Sequence, residues 1–302
     1  MIKALFAALA AALVIAQPAK AEDRVTLGYG RIFDNDALGD GEDRWRSGSY
    51  TISKVTGLRW DGTLPTAIGE IREYRLRSEL IAPESLSSPQ PGDRRYAGVV
   101  SLGMHTHFRR GGTDFSLGGD LVAVGPQNGV SRFQERVHGW IDAVAPEAAD
   151  NQIGNHVYPT LLVQAAHPLQ FSESVQMRPF VEAQAGVETL LRVGGDVILG
   201  GIGQTNLKLR DVATGHLYHA TWTDGPGVSF VLGGDVAAVA DSFYLPSSGG
   251  YELTDSRSRL RAGFHWEGER AGIFYGLTWH GEEFEGQREG QLTGSLRLRM
   301  RF

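Results

Sequence analysis

The sequence predicts an all-β protein, a closed antiparallel transmembrane β-barrel of about 12 strands with a short helix in an extracellular loop. Three observations predict this fold. Residues 1–21 have the pattern of an export signal. No later stretch approaches the roughly 18 uninterrupted apolar residues of a membrane-spanning helix. Segments with period-two alternation of apolar and polar residues recur along the remaining chain.

The chain begins with a segment typical of protein export. Lys3 supplies the positive start, residues 4–16 form a short apolar run, and Ala19-Lys20-Ala21 has the small-residue spacing of a cleavage site. We therefore expect residues 1–21 to be a cleaved signal peptide and residues 22–302 to be one outer-membrane barrel. Cleavage removes two Lys and no acid, so the formal net charge of −6 becomes −8.

Composition narrows the function classes. Hydrophobic residues make up 41% of the chain and charged residues 21%, which is enough apolar content for a folded body and too little charge for disorder. The absence of Cys excludes a disulfide framework, a thiolate zinc site and a cysteine nucleophile. The acidic balance argues against nucleic acid as a partner. The 40 Gly residues fit the sharp strand curvature of a barrel.

Twelve alternating segments account for the barrel, and an even number with both ends on one side closes the sheet without free edges. The segments are 25–33, 48–58, 68–80, 96–108, 114–124, 157–171, 177–190, 192–201, 228–238, 258–269, 271–281 and 292–302. A soluble sandwich would accept the last one as an edge strand, but a terminal Phe at the apolar parity after an export signal favours an outer-membrane barrel. Three Gly-Gly-Asp triplets, which begin at Gly118, Gly194 and Gly233, predict strand bends that carry a lumen-facing acid.

Placing the strands alternately up and down brings three polar loops, 34–47, 81–95 and 125–156, to one end, which we assign as extracellular. In the third loop the apolar residues at positions 130, 133, 137, 140 and 141 have helical spacing. Gln134 and His138 are one turn apart and share a face of this helix. His138 is a candidate general base, because an ordinary histidine has a pKa of about 6.5. The alternative is a histidine that packs the helix and bonds a backbone carbonyl.

The first loop is a candidate site for a hard cation. It contains Asn35, Asp36 and four further acids within ten residues, and calcium takes about six to eight oxygen ligands from carboxylates, carbonyls and water. The alternative is a solvated acidic loop, since the usual D-x-D-x-D-G pattern with its distant Glu is absent.

An ordered series of short motifs runs through these loops. It consists of Asn35-Asp36, Asp43-Arg44 with Ser47, residues 93–98 (DRRYAG), Gly125-Pro126 leading to Gln134 and His138, and Asn151-Gln152. Residues 283–287 (EFEGQ) extend the series. In this combination the chain resembles the outer-membrane lipid A 3′-O-deacylase family, the LpxR-type proteins, over nearly the whole mature length. The resemblance implies a twelve-stranded barrel whose active site lies between the barrel wall and a loop helix.

The resemblance also implies roles for individual residues. His138 matches the base that activates water, and Gln134 matches its helper one turn earlier. Asn35 and Asp36 match the pair at the calcium site, and Ser47 matches a position that carries Thr or Ser. Glu147 stands for the Glu that the family uses beyond its histidine. The expected catalytic residues are thus His138, Gln134, Asn35 and Ser47, and the expected metal ligands are Asp36, Asn35 and Glu147.

The implied activity is calcium-dependent hydrolysis of the 3′-linked acyl esters of lipopolysaccharide lipid A, which makes the protein a carboxylic ester hydrolase of the Gram-negative outer membrane. The expected cofactor is Ca²⁺, the expected partners are lipid A and outer-membrane lipid, and the barrel is expected to be a monomer. The loop residues Arg44, Arg46, Arg94 and Arg95 either hold lipid A phosphates or pair with loop acids. Two other functions stay open, an outer-membrane phospholipase with a Ser nucleophile and a non-enzymatic barrel that forms a pore or binds lipopolysaccharide.

Overall fold

The computed structural model describes residues 24–222 and 225–300. The expected signal peptide, residues 1–21, lies outside the described residues, as do the last two residues of the final alternating segment. The strands are β1 (Val25–Asn35), β2 (Trp45–Gly57), β3 (Ile71–Ala82), β4 (Ala97–Arg110), β5 (Thr113–Val124), β6 (His156–Ala166), β7 (Leu169–Ser172), β8 (Val175–Ala185), β9 (Glu188–Gly200), β10 (Lys208–Arg210), β11 (Leu217–His219), β12 (Gly227–Ser242), β13 (Arg257–Glu267), β14 (Ala271–His280) and β15 (Gln291–Met300). The helices are α1 (Val130–Ile141) and the short 3₁₀ helices Asp36–Leu38, Pro126–Asn128, Glu147–Asn151 and Ser247–Gly249.

Twelve of these strands close into a barrel. The strand order runs from β6 through β5, β4, β3, β2 and β1 to β15, β14, β13, β12, β9 and β8, and the antiparallel pair β6–β8 closes the ring. Among residues 24–222 and 225–300, no helix is long and apolar enough to cross a membrane. The closed antiparallel barrel of twelve strands with a loop helix, predicted from the alternation, is therefore confirmed.

The two faces of the strands differ as the alternation predicts. On β12, Phe230, Leu232 and Val236 are exposed on the outside, whereas Ser229 and Asp235 are buried in the lumen. Outward apolar and inward polar residues are the arrangement that a lipid-embedded barrel requires.

Most strand bounds differ from the sequence prediction by one to four residues, and two larger differences have an identifiable cause. The predicted strand 157–171 ends as β6 at Ala166, because Pro168 lacks the N–H needed to continue the ladder. The predicted break at residue 191 lies instead at residues 186 and 187, between β8 and β9. Gly186 has a φ of 147°, and a Cβ there would lie 2.4 Å from the Oγ1 of Thr160. A glycine is required at this turn, while the alternation of β9 continues through residue 191.

The acids of the three Gly-Gly-Asp triplets face the lumen, as predicted. Asp196 and Asp235 are both buried, and both accept hydrogen bonds from Arg261. Asp120 Oδ2 lies 3.1 Å from His105 Nε2. Each acid therefore belongs to an ion pair or hydrogen-bonded network inside the barrel, where an unpaired charge would be costly.

The connection from β9 to β12 turns back into the barrel, which the sequence does not indicate. Strands β10 and β11 pair as a hairpin, and Tyr218 and Ala220 are buried against Ile32 of the barrel wall. Gly28 makes room for this approach, since a Cβ there would lie 2.0 Å from the Ala220 carbonyl oxygen. Residues 201–222, named the lumen hairpin below, thus enter the barrel from the end opposite the loops that follow β1, β3 and β5.

Those three loops, residues 36–44, 83–96 and 125–155, lie at one end of the barrel because each follows a strand that runs in the same direction. Backbone hydrogen bonds join the second loop to the third. The Ala148 N–H donates to the Leu86 carbonyl, and the Ile153 N–H donates to the Tyr96 carbonyl, both at 2.8 Å. Helix α1 is held against β3 and β4 at this end.

Candidate active site

The candidate site begins where β1 ends, at Asn35. The Asn35 Oδ1 accepts a hydrogen bond from the Ala37 N–H at 2.9 Å and so caps the first 3₁₀ helix. Its Nδ2 donates to the Ser47 carbonyl oxygen at 3.0 Å. Both ends of the Asn35 amide are therefore engaged in holding Asp36 next to the start of β2.

Asp36 is the buried acid of this loop, with only 1% of its surface exposed. Its Oδ2 accepts a hydrogen bond from the Arg44 N–H at 2.9 Å. Burial, together with the negative charge of Asp43, raises the pKa of Asp36 to about 7, although hydrogen bonds from the backbone N–H groups of Arg44 and Ala37 act to lower it. The carboxylate therefore sits in a negative environment that a cation would relieve.

Asp43 joins the first loop to helix α1. Its Oδ2 lies 3.3 Å from His138 Nε2, and its Oδ1 accepts a short hydrogen bond from the Ser47 hydroxyl. The backbone reaches this position through left-handed conformations at Asp43 (φ 51°) and Trp45 (φ 46°). Such conformations cost about 1 kcal/mol or more for residues other than glycine and are concentrated at functional sites.

Helix α1 turns its polar side toward the barrel. Ser131, Gln134 and His138 are buried, together with Val130. Val130 packs over Gly98 of β4, where a Cβ would lie 2.9 Å from the Val130 Cβ. Close packing at Gly98 therefore brings the Gln134 and His138 face of the helix onto the barrel mouth, as the spacing of these residues predicts.

The hydrogen bonds of His138 define which nitrogen is free. Its Nδ1 lies 2.5 Å from the Val144 carbonyl oxygen, which can only accept, so Nδ1 carries the proton. In the neutral ring Nε2 then has a lone pair and faces Asp43. This is the arrangement of a base whose protonated form meets a carboxylate.

Tyr96 positions Gln134. The Tyr96 hydroxyl donates to Gln134 Oε1 at 2.8 Å, and both side chains are buried. Burial and the nearby charge of Asp43 raise the pKa of Tyr96, so its hydroxyl stays a donor. The bond leaves the Gln134 NH₂ group to donate toward a water or a substrate.

The structure brings five of the six sequence-predicted site residues to one mouth of the barrel and leaves one apart. Asn35, Asp36 and Ser47 are joined by the first loop, and Gln134 and His138 face them from α1. Glu147 is exposed at the start of the 3₁₀ helix Glu147–Asn151, and its backbone N–H donates to the Ala145 carbonyl.

The sequence prediction missed Asp43 and Tyr96 as site residues. Both stand in the quoted motifs, Asp43 four residues before Ser47 and Tyr96 within DRRYAG. The spacing from Asp43 to Ser47 would have been the signal for the first. For Tyr96 the sequence carries no signal beyond the motif, because its partner lies on a different loop.

Hard oxygen donors suited to calcium meet at this site. The carboxylates of Asp36 and Asp43 and the hydroxyl of Ser47 lie together, and calcium completes its shell with carbonyls and water. No cluster of three or more His, Asp or Glu with metal-binding geometry occurs in residues 24–222 and 225–300. The two acids and the mutual repulsion between them fit a calcium ion, whereas the amide of Asn35 is already engaged.

The mouth arginines are paired with acids. Arg46 bridges Glu79 (2.6 Å) and Glu283 (2.7 Å), Arg94 lies 2.8 Å from Glu283, and Arg44 lies 2.8 Å from Glu289. Burial alone would raise the pKa of Glu283, but the charges of Arg46, Arg94 and Arg257 outweigh it and lower the pKa well below its ordinary value. Of the two interpretations of these arginines, the structure favours ion pairs that tie the loops together.

Arg95 also joins two loops, but its partners are backbone carbonyls rather than acids. Its Nε donates to the Asn151 carbonyl at 3.1 Å, and its Nη2 donates to the Gln152 carbonyl at 2.7 Å. It therefore ties the second loop to the end of the third loop, beyond α1.

Comparisons with known proteins identify relatives of the whole chain. A family model described as outer membrane protein LpxR matches residues 4–302. LpxR from Salmonella typhimurium has a similar structure, with a TM-score of 0.74 at 18% sequence identity over 91% of this chain and 100% of that chain. The TM-score shows a shared fold, and at this low sequence identity the match shows nothing beyond the fold. No curated protein matches the sequence.

Two other barrels match less well. A bacterial polysaccharide outer membrane secretin covers 92% of this chain and 99% of its own at 9% identity, with a TM-score of 0.40. The beta domain of the Bordetella autotransporter Brka covers 91% of this chain and 99% of its own at 10% identity, also with a TM-score of 0.40. Both are too distant to support a comparison of sites.

Proposed function

Because the chain belongs to the LpxR family of outer-membrane proteins, we propose that it is a calcium-dependent lipid A deacylase. The reaction is hydrolysis of the 3′-linked acyl ester of lipid A at the extracellular mouth of the barrel. The observation that carries the proposal is the contact of His138 Nε2 with Asp43 beside the buried Asp36. A base, a carboxylate partner and a cation site thus meet at one place.

His138 acts as the general base. The bond from Nδ1–H to the Val144 carbonyl holds the ring in the tautomer whose Nε2 accepts a proton. Nε2 takes a proton from water while the water oxygen forms a bond to the ester carbon. Asp43, 3.3 Å away, stabilises the imidazolium that results.

The same proton then completes the reaction. When the bond from the ester carbon to the sugar oxygen breaks, the imidazolium gives its proton to that oxygen. The products are a free fatty acid and a sugar hydroxyl, and His138 returns to its neutral form. No covalent acyl-enzyme is required.

The remaining residues position the reactants. Gln134 is held by Tyr96 and orients water through its free NH₂ group. Asn35 links Asp36 to Ser47, so the two loops keep their spacing. We propose that Asp36, Asp43 and Ser47 hold calcium with carbonyl and water oxygens. When bound, the ion supplies charge stabilisation for the ester oxygen that becomes negative.

The direct test is mass spectrometry of lipid A from cells that produce the protein or its His138→Ala variant. We expect wild-type cells to lose a 3′-linked acyl chain and the variant to lose about 1000-fold in rate, because the base is gone. The variant must keep a heat-modifiable barrel, and His156→Ala, at an exposed histidine that begins β6, is the matched control. Full activity of His138→Ala would reject the assignment.

Calcium is tested on the same purified protein. Chelation should abolish deacylation, and added Ca²⁺ should restore it, because two mutually repelling acids need a cation between them. Restoration by Zn²⁺ alone would contradict the calcium proposal.

The phospholipase alternative needs a serine nucleophile beside a base. Asp43 contacts both Ser47 and His138, and its Oδ1 accepts the hydrogen bond that the Ser47 hydroxyl donates. His138 is therefore not the hydrogen-bond acceptor of Ser47. Labelling by a serine-directed phosphonate distinguishes the alternatives, since the water mechanism predicts no covalent adduct.

A further inference from the structure

Helix α1 presents an unusual surface to its surroundings. Phe133, Trp140 and Ile141 have 65%, 79% and 67% of their surfaces exposed, and Val144 just beyond the helix is exposed as well. The polar residues Ser131, Gln134 and His138 are instead buried against the barrel. The helix is therefore amphipathic in the opposite sense to one that lies on a soluble protein.

This apolar surface has a basic border. On a helix with about 3.6 residues per turn, Arg132 and Arg136 lie next to Phe133 and Trp140, so the four form one continuous outer face. Both arginines are exposed, and no ion pair of either occurs within the described part of the chain. Glu135 is exposed on the other side of the helix.

The strands on either side of α1 in the chain belong to an outer-membrane barrel. The chain is an outer-membrane barrel, and α1 sits at its extracellular end between β5 and β6. Leu121 of β5 and Val157 of β6 are exposed on the outer barrel wall. The exposed apolar face of α1 therefore belongs to a loop between two strands whose outer residues are apolar too.

We propose that the outer face of α1, formed by Arg132, Phe133, Arg136 and Trp140, docks on the phosphorylated glycolipid of the outer leaflet. The aromatic side chains lie among acyl chains, and the two arginines contact phosphates. Apolar residues beside Lys or Arg are the pattern of a helix that lies in a membrane interface. The inference rests on the proposed function only in taking lipid A as the glycolipid.

Docking of lipid on the outer face would bring it close to the catalytic face of the same helix. His138 and the outer residues are fixed to one short, rigid element, so a lipid held by Phe133 and Trp140 lies beside the cleft between α1 and the barrel wall. The helix would then act as a guide that delivers an acyl ester to the site, separate from the chemistry.

The first test measures how deep the helix residues lie in the membrane. Because the chain has no Cys, a single introduced Cys is the only site that a thiol-reactive label can modify. Single variants Phe133→Cys, Trp140→Cys and Glu135→Cys carry a nitroxide in the full barrel, reconstituted in vesicles that contain lipid A. We expect labels at 133 and 140 to collide with oxygen rather than with a water-soluble nickel chelate, and the label at 135 to do the reverse. Equal, water-like exposure of all three labels would overturn the proposal.

Binding is the second test, performed in the His138→Ala background so that lipid A is not consumed. The double variant Arg132→Gln with Arg136→Gln should raise the Kd for lipid A about tenfold, because each basic side chain near an anionic surface adds to the attraction. Glu135→Gln should leave the constant unchanged. Lipid A without its phosphates should bind both proteins equally, and unchanged affinity of the double variant for phosphorylated lipid A would contradict the role of the arginines.

The two tests separate this inference from the proposed function. Buried labels and arginine-dependent binding in a protein that does not change lipid A would support docking and reject hydrolysis. Hydrolysis with water-exposed labels and arginine-independent binding would support the function and reject docking.

Discussion

Two groups at the extracellular mouth contact the two ring nitrogens of His138. The Val144 carbonyl accepts a hydrogen bond from Nδ1, and the Asp43 carboxylate lies 3.3 Å from Nε2, where it would meet the ring's second proton. Asp43 is itself fixed by the Ser47 hydroxyl. Asp43, which would stabilise the charged ring in the proposed mechanism, can therefore be tested apart from the ring.

Replacing Asp43 by Asn keeps its shape and removes its charge. We expect Asp43→Asn to lower kcat for deacylation about 100-fold, because the imidazolium loses its counter-charge, while KM changes little. The exposed Glu42→Gln is the control in the same loop. If excess Ca²⁺ restored full activity to Asp43→Asn, its main role would be metal binding rather than stabilisation of His138.

Tyr96 acts through Gln134 and is a positioning residue. Tyr96→Phe removes one hydrogen bond of about 1 kcal/mol and should lower kcat roughly tenfold, while the melting temperature falls by only a few degrees. Tyr50→Phe, on an exposed strand position, is the matched control. In a Gln134→Ala background, Tyr96→Phe should have no further effect. An additional loss there would show that Tyr96 acts by another route.

At the scale of elements, buried ion pairs join strands and loops at the mouth. Arg46 of β2, Glu79 of β3, and Arg94 and Glu283 from two loops form one network. Buried charges of this kind stabilise only while every partner is present. The network therefore holds the site loops in place as a unit.

Glu283→Gln should lower the free energy of unfolding by about 3 kcal/mol at pH 7, because it leaves buried arginines without their acid. The pKa of Glu283 is depressed in the folded state, so its contribution is present above its ordinary pKa and is lost as the pH falls through the folded value. Urea unfolding at pH 7 and pH 3 measures this, with the exposed Glu285→Gln as control. A difference from wild type that is as large in strong acid as at pH 7 would contradict the explanation.

At the scale of the whole molecule, the lumen hairpin decides what the barrel can conduct. Tyr218 contacts Ser53 of β2, and Arg210 pairs with Asp196 of β9, so the hairpin is tied to several sides of the wall. A barrel of about 12 strands would otherwise be wide enough to admit water. The filled lumen argues against the pore alternative.

Replacing residues 204–222 by a short Gly-Ser linker should open the barrel. We expect stable single-channel conductance from this variant in planar bilayers and none from the wild type, because the side chains that fill the lumen are removed. Equal conductance of the two proteins would mean that the hairpin does not close the barrel.

The sequence by itself determined the barrel, its loop helix and most of the candidate site. Period-two alternation specifies strands, and helical spacing specifies α1, because side-chain direction follows local backbone geometry. The same locality places Gln134 beside His138 and Asn35 beside Asp36. The Gly-Gly-Asp triplets predicted lumen-facing acids for this reason as well, and two of the three, Asp196 and Asp235, are buried.

Only the tertiary structure decided which distant residues meet. The contacts of Asp43 with His138 and of Tyr96 with Gln134 join different loops, and the turn at Gly186 depends on a close approach to Thr160. The lumen hairpin is buried by strands far away in the chain, which alternation cannot reveal. The outward apolar side of α1 was likewise decided by its packing on the barrel, because a period shows that a helix has two faces but not which face packs on the barrel.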